Sequence, residues 1–206
     1  LTASGNIDVD EANAITLTDV DTTDGTITVD AGGAITATDI ASGNNNAITL
    51  TTTSGDITSV NTVNAGTGTV TLDSAGGIID DGSAGTVITG GALTADAAAG
   101  VITIDTSVGR VDLTASGNID VDEANAITLT NVDANDGTIT VTAGGTIVAN
   151  TVDAGSKDVS LTASSGGITD GNAATNNVTG GALSASSATG IDLDTTVASV
   201  SATTSG

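Results

Sequence analysis

The side chains best equipped for chemistry in this sequence are its carboxylates, and they come in patterned runs. Asp8-Val9-Asp10-Glu11 recurs as Asp120-Val121-Asp122-Glu123. In an extended backbone the alternation puts Asp8 and Asp10 on one outer face, with Ile7 and Val9 turned inward. A third run, Asp19-Val20-Asp21-Thr22-Thr23-Asp24-Gly25, superficially resembles a calcium loop. Calcium takes several oxygen ligands in a flexible shell, which such runs could supply. Asp8, Asp10, Glu11, Asp120, Asp122, Glu123, Asp19, Asp21 and Asp24 are therefore the candidate ligands. The third run lacks the spacing Asp-x-Asp-x-Asp-Gly, and its second copy retains only Asn131, Asp133 and Asp136. The glycine-rich calcium nonapeptide, with Asp at a fixed place after paired glycines, is not met either. Calcium is thus expected as an optional ion, not a required cofactor. The competing reading is a solvated acidic face.

Other chemistry is excluded more firmly. The sequence has no His and no Cys, so it cannot build a Ser/His or Cys/His nucleophile pair, or a zinc site from those ligands. Arg110 and Lys157 fall in different repeats, and there is no aromatic platform for a sugar. The expectation is a protein without enzymatic activity. Asp and Glu total 25 against 2 Lys and Arg, for a net charge of −23. That balance opposes nucleic-acid binding and anionic membranes, and suits a surface bathed in salt or divalent ions. Thr-x-Thr runs (Thr26 with Thr28, Thr49 with Thr51, Thr69 with Thr71) raise ice binding. Asp30, Asp73 and Asp96 interrupt neighbouring outward positions, and Thr is an ordinary strand residue.

The elements that must carry these residues are set by repetition. LTASGNIDVDEANAITLT fills 1–18 and returns unchanged at 113–130. The longer alignment pairs 1–40 with 113–152, and a second, with a different offset, pairs residues from 61 onward with those from 150 onward. Roughly 41–62 has no counterpart. The expected organisation is one continuous unit over 1–206, duplicated as 1–112 and 113–206, with one extra coil near 41–62 in the first copy. Glycine corners such as Ser4-Gly5, Gly32-Gly33, Gly76-Gly77 and Gly144-Gly145 recur about every 22 residues. Ile or Val lies within two residues after each corner, at Ile7, Ile35, Ile78 and Ile147, and runs such as Ile27-Thr28-Val29 and Val159-Ser160-Leu161 alternate with period two. No helical period is present.

A pair of immunoglobulin-like sandwiches and a β-solenoid both fit alternating strands. The missing segment separates them. Losing about 22 residues removes roughly two strands from a sandwich and breaks its core, whereas a solenoid loses one coil and restacks. The sequence also has no Phe, Trp or Tyr, so a thick core is not expected. The reading is an all-β parallel β-helix of about nine to ten coils, three short strands each, about 45 Å long, without caps. No apolar run reaches a membrane span. No signal peptide is visible and the first residue is not Met, so the sequence reads as a segment of something longer.

The pattern leucine–x–alanine–x–glycine–x–isoleucine, at Leu1 to Ile7 and Leu113 to Ile119, resembles repeats of filamentous-haemagglutinin-type adhesins and related giant β-strand-repeat surface proteins of bacteria. The resemblance implies a right-handed parallel β-helix, secretion across the outer membrane, an extracellular location at the cell surface, and a role as the shaft of a fibre. The expected partners are further copies or flanking repeats stacked end to end, with lateral bundling, and a tip ligand that the sequence does not name. A subunit of a self-assembling extracellular filament or sheath is the alternative function, and an ice-binding solenoid the third.

Overall fold

The computed structural model describes residues 1–80, 82, 87–173 and 175–206. Among the described residues the strands form a single 25-stranded sheet in which every pairing is parallel, wound into a β-solenoid of about ten turns. The only helical element among the described residues is a single 3₁₀ turn at Gly43–Asn45. No helix among the described residues is long and apolar enough to cross a membrane.

Each of the first coils offers three faces. The first face starts with Ile7–Glu11 and continues through Ile27–Ala31, Ile48–Thr52, Thr69–Ser74, Ala92–Ala97 and Arg110–Ala115. The second starts with Ile15–Leu17 and continues through Ile35–Ala37, Ile57–Val60 and Ile78–Asp80. The third carries Thr2–Ala3, Val20–Thr22, Asp39–Ser42, Thr62–Asn64 and Val87–Gly90.

Like residues stack on like. Ile15, Ile35, Ile57, Ile78, Ile102, Ile119 and Ile139 form one inward column of seven isoleucines. Parallel pairing brings the same side chain over itself at every turn, so branched aliphatics fill a narrow tube without aromatics. Full burial of each is worth about 1.5–3 kcal/mol.

The corners are closed by two devices. A buried hydroxyl often donates to the carbonyl of a corner glycine three residues on: Thr22 to Gly25 at 2.8 Å, Ser74 to Gly77 at 3.0 Å, Ser187 to Gly190 at 3.0 Å. A corner amide or carboxylate also accepts from the next coil's backbone. Asn6 Oδ1 accepts from Thr26 N, and its repeat Asn118 from Thr138 N, both at 3.0 Å. Paired glycines are needed where coils touch: a Cβ on Gly32 would lie 2.1 Å from the Ala12 carbonyl oxygen, and one on Gly144 2.1 Å from that of Ala124.

Coil length is uneven. Ile102 lies beneath Ile119, 17 residues on, and Val152 beneath Val178, 26 residues on. In the short coils, three strands merge toward two. Ile102–Val108 runs straight across the second and third faces, pairing below with both Ile78–Asp80 and Val87–Gly90. The merger rotates the strands stacked above it. Ile119–Glu123 stacks on Ile102–Val108, whereas its identical twin Ile7–Glu11 stands on the first face. The first face instead continues into Ile127–Asp133. The second copy of the repeat is therefore rotated by one face relative to the first.

Candidate functional site

The sequence points to the acidic runs, and the structure splits each of them. Asp8 and Asp10 are exposed, as are Asp120 and Asp122, while the glutamate next in each run has the inward parity of the strand. Glu123 is only 4% exposed. Its Oε2 accepts from the Thr106 hydroxyl and from Val108 N, both at 2.9 Å, and its Oε1 from Asn125 N at 2.8 Å. Asn125 Nδ2 reaches the Ser107 hydroxyl at 3.1 Å. Glu123 thus clamps its own coil to the one beneath. Glu11, in the same sequence, is half-buried and accepts only from Asn13, by the backbone N at 3.0 Å and Nδ2 at 3.3 Å.

The outward aspartates extend into ladders. Register places Asp10, Asp30, Thr51, Asp73, Asp96, Thr114, Asp133 and Asp153 in one column along the first face. Rungs lie about 4.8 Å apart, so two neighbouring carboxylates repel by about 0.9 kcal/mol in bulk water. Thr51 and Thr114 break the column into aspartate pairs, so no carboxylate in it has like neighbours on both sides. Asp133 and Asp153 also accept from Asn135 N and Gly155 N, at 2.9 and 2.8 Å, closing their own turns.

Asp120 and Asp122 lie on another face. Asp122 stacks over Asp105, and Asp80 accepts from Asp105 N at 2.9 Å and Gly82 N at 2.9 Å. Together Asp80, Asp105, Asp120 and Asp122 line a shallow groove. Partial burial, then the charges of Asp122 and Asp80, raise the Asp120 carboxyl above its ordinary range.

The third run is spread over a corner. Asp21 is half-buried. Burial, then a hydrogen bond with Asp19, then the charges of Asp19 and Asp39, raise its pKa. Asp24 accepts from Asn46 Nδ2 of the next coil at 3.3 Å. The two copies of the acidic run stand on different faces and do not share a site. Among the described residues no group of three or more carboxylates is arranged to hold a metal ion. Both Glu123 oxygens face hydrogen-bond donors, and Asp8 and Asp10 lie in columns of the first face, away from the groove that Asp120 and Asp122 share with Asp80 and Asp105.

Two hydroxyl columns run beside each other farther along. Thr140, Ser160, Ser184 and Ser201 stack in one, and Thr142, Thr162, Ser186 and Thr203 in the next. Each stands on an aspartate, Asp120 beneath Thr140 and Asp122 beneath Thr142, and carries no charge among the four hydroxyls above it. This differs from the first face, where Asp30, Asp73 and Asp96 flank the column Thr28, Thr49, Thr71 and Thr94.

Sequence reasoning placed the aspartates outward but missed the role of Glu123. The available signal was the shared tetrad Asp105-Thr106-Ser107-Val108 and Asp194-Thr195-Thr196-Val197, whose meaning needs the coil above it. Comparison with family models, with curated proteins and with solved structures returns no match for the chain.

Proposed function

We propose that this chain is a segment of the rigid shaft of a secreted bacterial surface fibre, a structural part with no catalytic role. The observation that supports this reading is the parallel ladder that links coil to coil among the described residues, carried on one aliphatic core from Ile7 to Ala185. Pulling along the axis would load many coil-to-coil hydrogen bonds, and a tip ligand would be held away from the cell. The acidic exterior keeps the rod soluble and away from nucleic acid and anionic membranes. Flanking repeats or further copies would continue the stack.

The test is single-molecule stretching of the chain between two well-characterised marker domains, together with small-angle scattering. A shaft gives a rod-like scattering profile and unfolds coil by coil at forces comparable to the markers. A flexible chain that extends without a force peak overturns the reading. A second reading is a subunit of a self-assembling filament, supported by the coil-on-coil register in which like residues stack on like. The two adjacent hydroxyl columns above Asp120 and Asp122 support the third, ice binding; thermal hysteresis of the purified chain measures it, and none removes it.

A further inference from the structure

Three Asp-Gly pairs lie wholly within the described residues: Asp24-Gly25, Asp136-Gly137 and Asp170-Gly171. A fourth, Asp81-Gly82, has its aspartate outside them. In an Asp-Gly pair the backbone can readily attack its own side chain, because glycine puts no Cβ in the way of its nitrogen. The attack requires the glycine N–H to leave any acceptor it holds, and the carboxyl to swing toward it. The fold decides which pairs have that freedom.

Two pairs are tied at both ends. Gly137 N donates to the Ala134 carbonyl at 2.7 Å, and Asp136 Oδ1 accepts from Ser156 N at 2.9 Å and the Ser156 hydroxyl at 3.1 Å. Gly171 N donates to the Ala149 carbonyl at 2.9 Å. Asp170 Oδ1 accepts from Asn172 N at 2.7 Å, Ala173 N at 3.0 Å and Asn177 Nδ2 at 2.9 Å.

Asp24-Gly25 is the counterpart of Asp136-Gly137 in the first copy of the repeat, and it lacks both ties. Gly25 N meets no hydrogen-bond acceptor among the described residues. Asp24 is exposed and accepts only from Asn46 Nδ2, at 3.3 Å. The cause lies in the sequence. The corner Ala134-Asn135-Asp136-Gly137 turns with positive φ at Asn135 (39°) and Asp136 (72°), which closes Gly137 N onto Ala134. The first copy reads Thr22-Thr23-Asp24-Gly25. A β-branched residue such as Thr23 resists positive φ, and neither Thr23 nor Asp24 adopts it. The Thr22 hydroxyl closes this corner instead, on the Gly25 carbonyl at 2.8 Å, and leaves Gly25 N–H unused.

We propose that Asp24 is a site of spontaneous isoaspartate formation, the fastest of the three pairs. Gly25 N bonds to Cγ of the protonated Asp24 carboxyl, the Cγ–OH bond breaks, and the hydroxyl leaves as water with the Gly25 amide proton. The product is a five-membered succinimide. Water then adds to the Asp24 backbone carbonyl carbon and breaks its bond to Gly25 N. The chain now runs through Cγ, and the former backbone carbon becomes a free carboxylate. Water is lost and regained, and mass and charge are unchanged. The lengthened main chain has no room at this corner, since even a Cβ on Gly25 would lie 2.3 Å from the Gly5 carbonyl carbon. The corner therefore opens, losing the Thr22 bond to Gly25 and the bond from Thr26 N to Asn6 Oδ1. The inference does not rest on the shaft reading, and its failure would leave that reading standing.

The experiment ages the intact folded chain in warm neutral buffer and maps it by mass spectrometry with electron-transfer fragmentation, which tells isoaspartate from aspartate. Isoaspartate is expected to accumulate at Asp24 about two- to tenfold faster than at Asp136 or Asp170, the factor that one hydrogen bond supplies. In the chain unfolded by guanidinium the three rates converge. Thr22→Ala combined with Thr23→Asn writes the second-copy corner into the first, and slows Asp24 to the rate of Asp136. Equal rates at the three pairs in the folded chain, a preference for Asp24 that persists in guanidinium, or a folded double variant that reacts like the parent overturns the proposal.

Discussion

Replacing Glu123 by Ala tests the clamp directly, because the molecule contains its own control. The substitution leaves Val108 N–H without its acceptor and the Thr106 hydroxyl with only a long bond to the Asp122 carbonyl at 3.5 Å, at a site 4% exposed. A buried donor left unsatisfied costs about 1–3 kcal/mol, and with Thr106 partly satisfied the pair costs about 2–5 kcal/mol. Glu11→Ala changes the same side chain in the same eighteen-residue sequence, but releases only Asn13, which is exposed and can turn to water. Its cost is about 0.5–1 kcal/mol. For a chain of this size each kcal/mol moves Tm by about 2–4 °C, so the Glu123 variant falls by about 4–20 °C and the Glu11 variant by about 1–4 °C. Far-UV circular dichroism of both variants measures the shifts, at a concentration low enough to hold the chain monomeric. Amide exchange adds a local readout, since Val108 N–H should lose protection only in Glu123→Ala. A solenoid couples neighbour to neighbour, so the melt should also split near this coil. Equal shifts in the two variants would refute the argument that the coil beneath, and not the acidic sequence itself, gives the glutamate its role.

Three further outcomes are expected. Gly144→Ala drives a methyl to 2.1 Å from the Ala124 carbonyl oxygen and costs about 1–3 kcal/mol, whereas Gly5→Ala, with nothing within 4 Å, stays within about 0.5 kcal/mol; urea denaturation compares them. Sodium chloride raises Tm by screening the aspartate column, and calcium and magnesium act alike; a saturable response to calcium alone, abolished by chelator, would instead reveal a built calcium site. The pH dependence has two opposite parts. Asp136 is held below the ordinary range by Ser156 N and the Ser156 hydroxyl, and Asp170 by Asn177 and then Asn172 N. Their stabilisation is present at neutral pH and is lost as pH falls below about 3.9, through their folded values. Asp120 is raised, so its penalty is full at neutral pH and fades as pH falls through its folded value. Asp120→Asn should therefore stabilise at pH 7 by an amount that shrinks on acidification, and Asp136→Asn should do the reverse. Melting curves across pH with either sign inverted would contradict these assignments.

The solenoid was legible because its signal is repetitive. Ile15, Ile35, Ile57 and Ile78 recur beside glycine corners, and period-two alternation around them allows little but stacked strands. The outward placement of Asp8 and Asp10 came from the same parity. Glu11 and Glu123 were harder, since the parity that turns them inward looks unfavourable until donors from another coil are known. Those donors lie fifteen and seventeen residues earlier in the chain. The uneven coils hid a second feature. Corner spacing reveals that coils differ in length, but not that Ile102–Val108 flattens two faces into one strand and so shifts everything above it.

That one-face shift bears on how such a rod could lengthen. A block can be copied into a solenoid without containing a whole number of turns, provided its first strand finds a strand of matching parity below. The cost falls on azimuth and not on stability: each added block starts at a new angle around the axis. Surface chemistry written once in the repeat is then wound around the fibre as blocks accumulate. Carboxylates that form a straight stripe within one block would, over several, cover every side, so two parallel rods would meet acid on each other whatever their rotation.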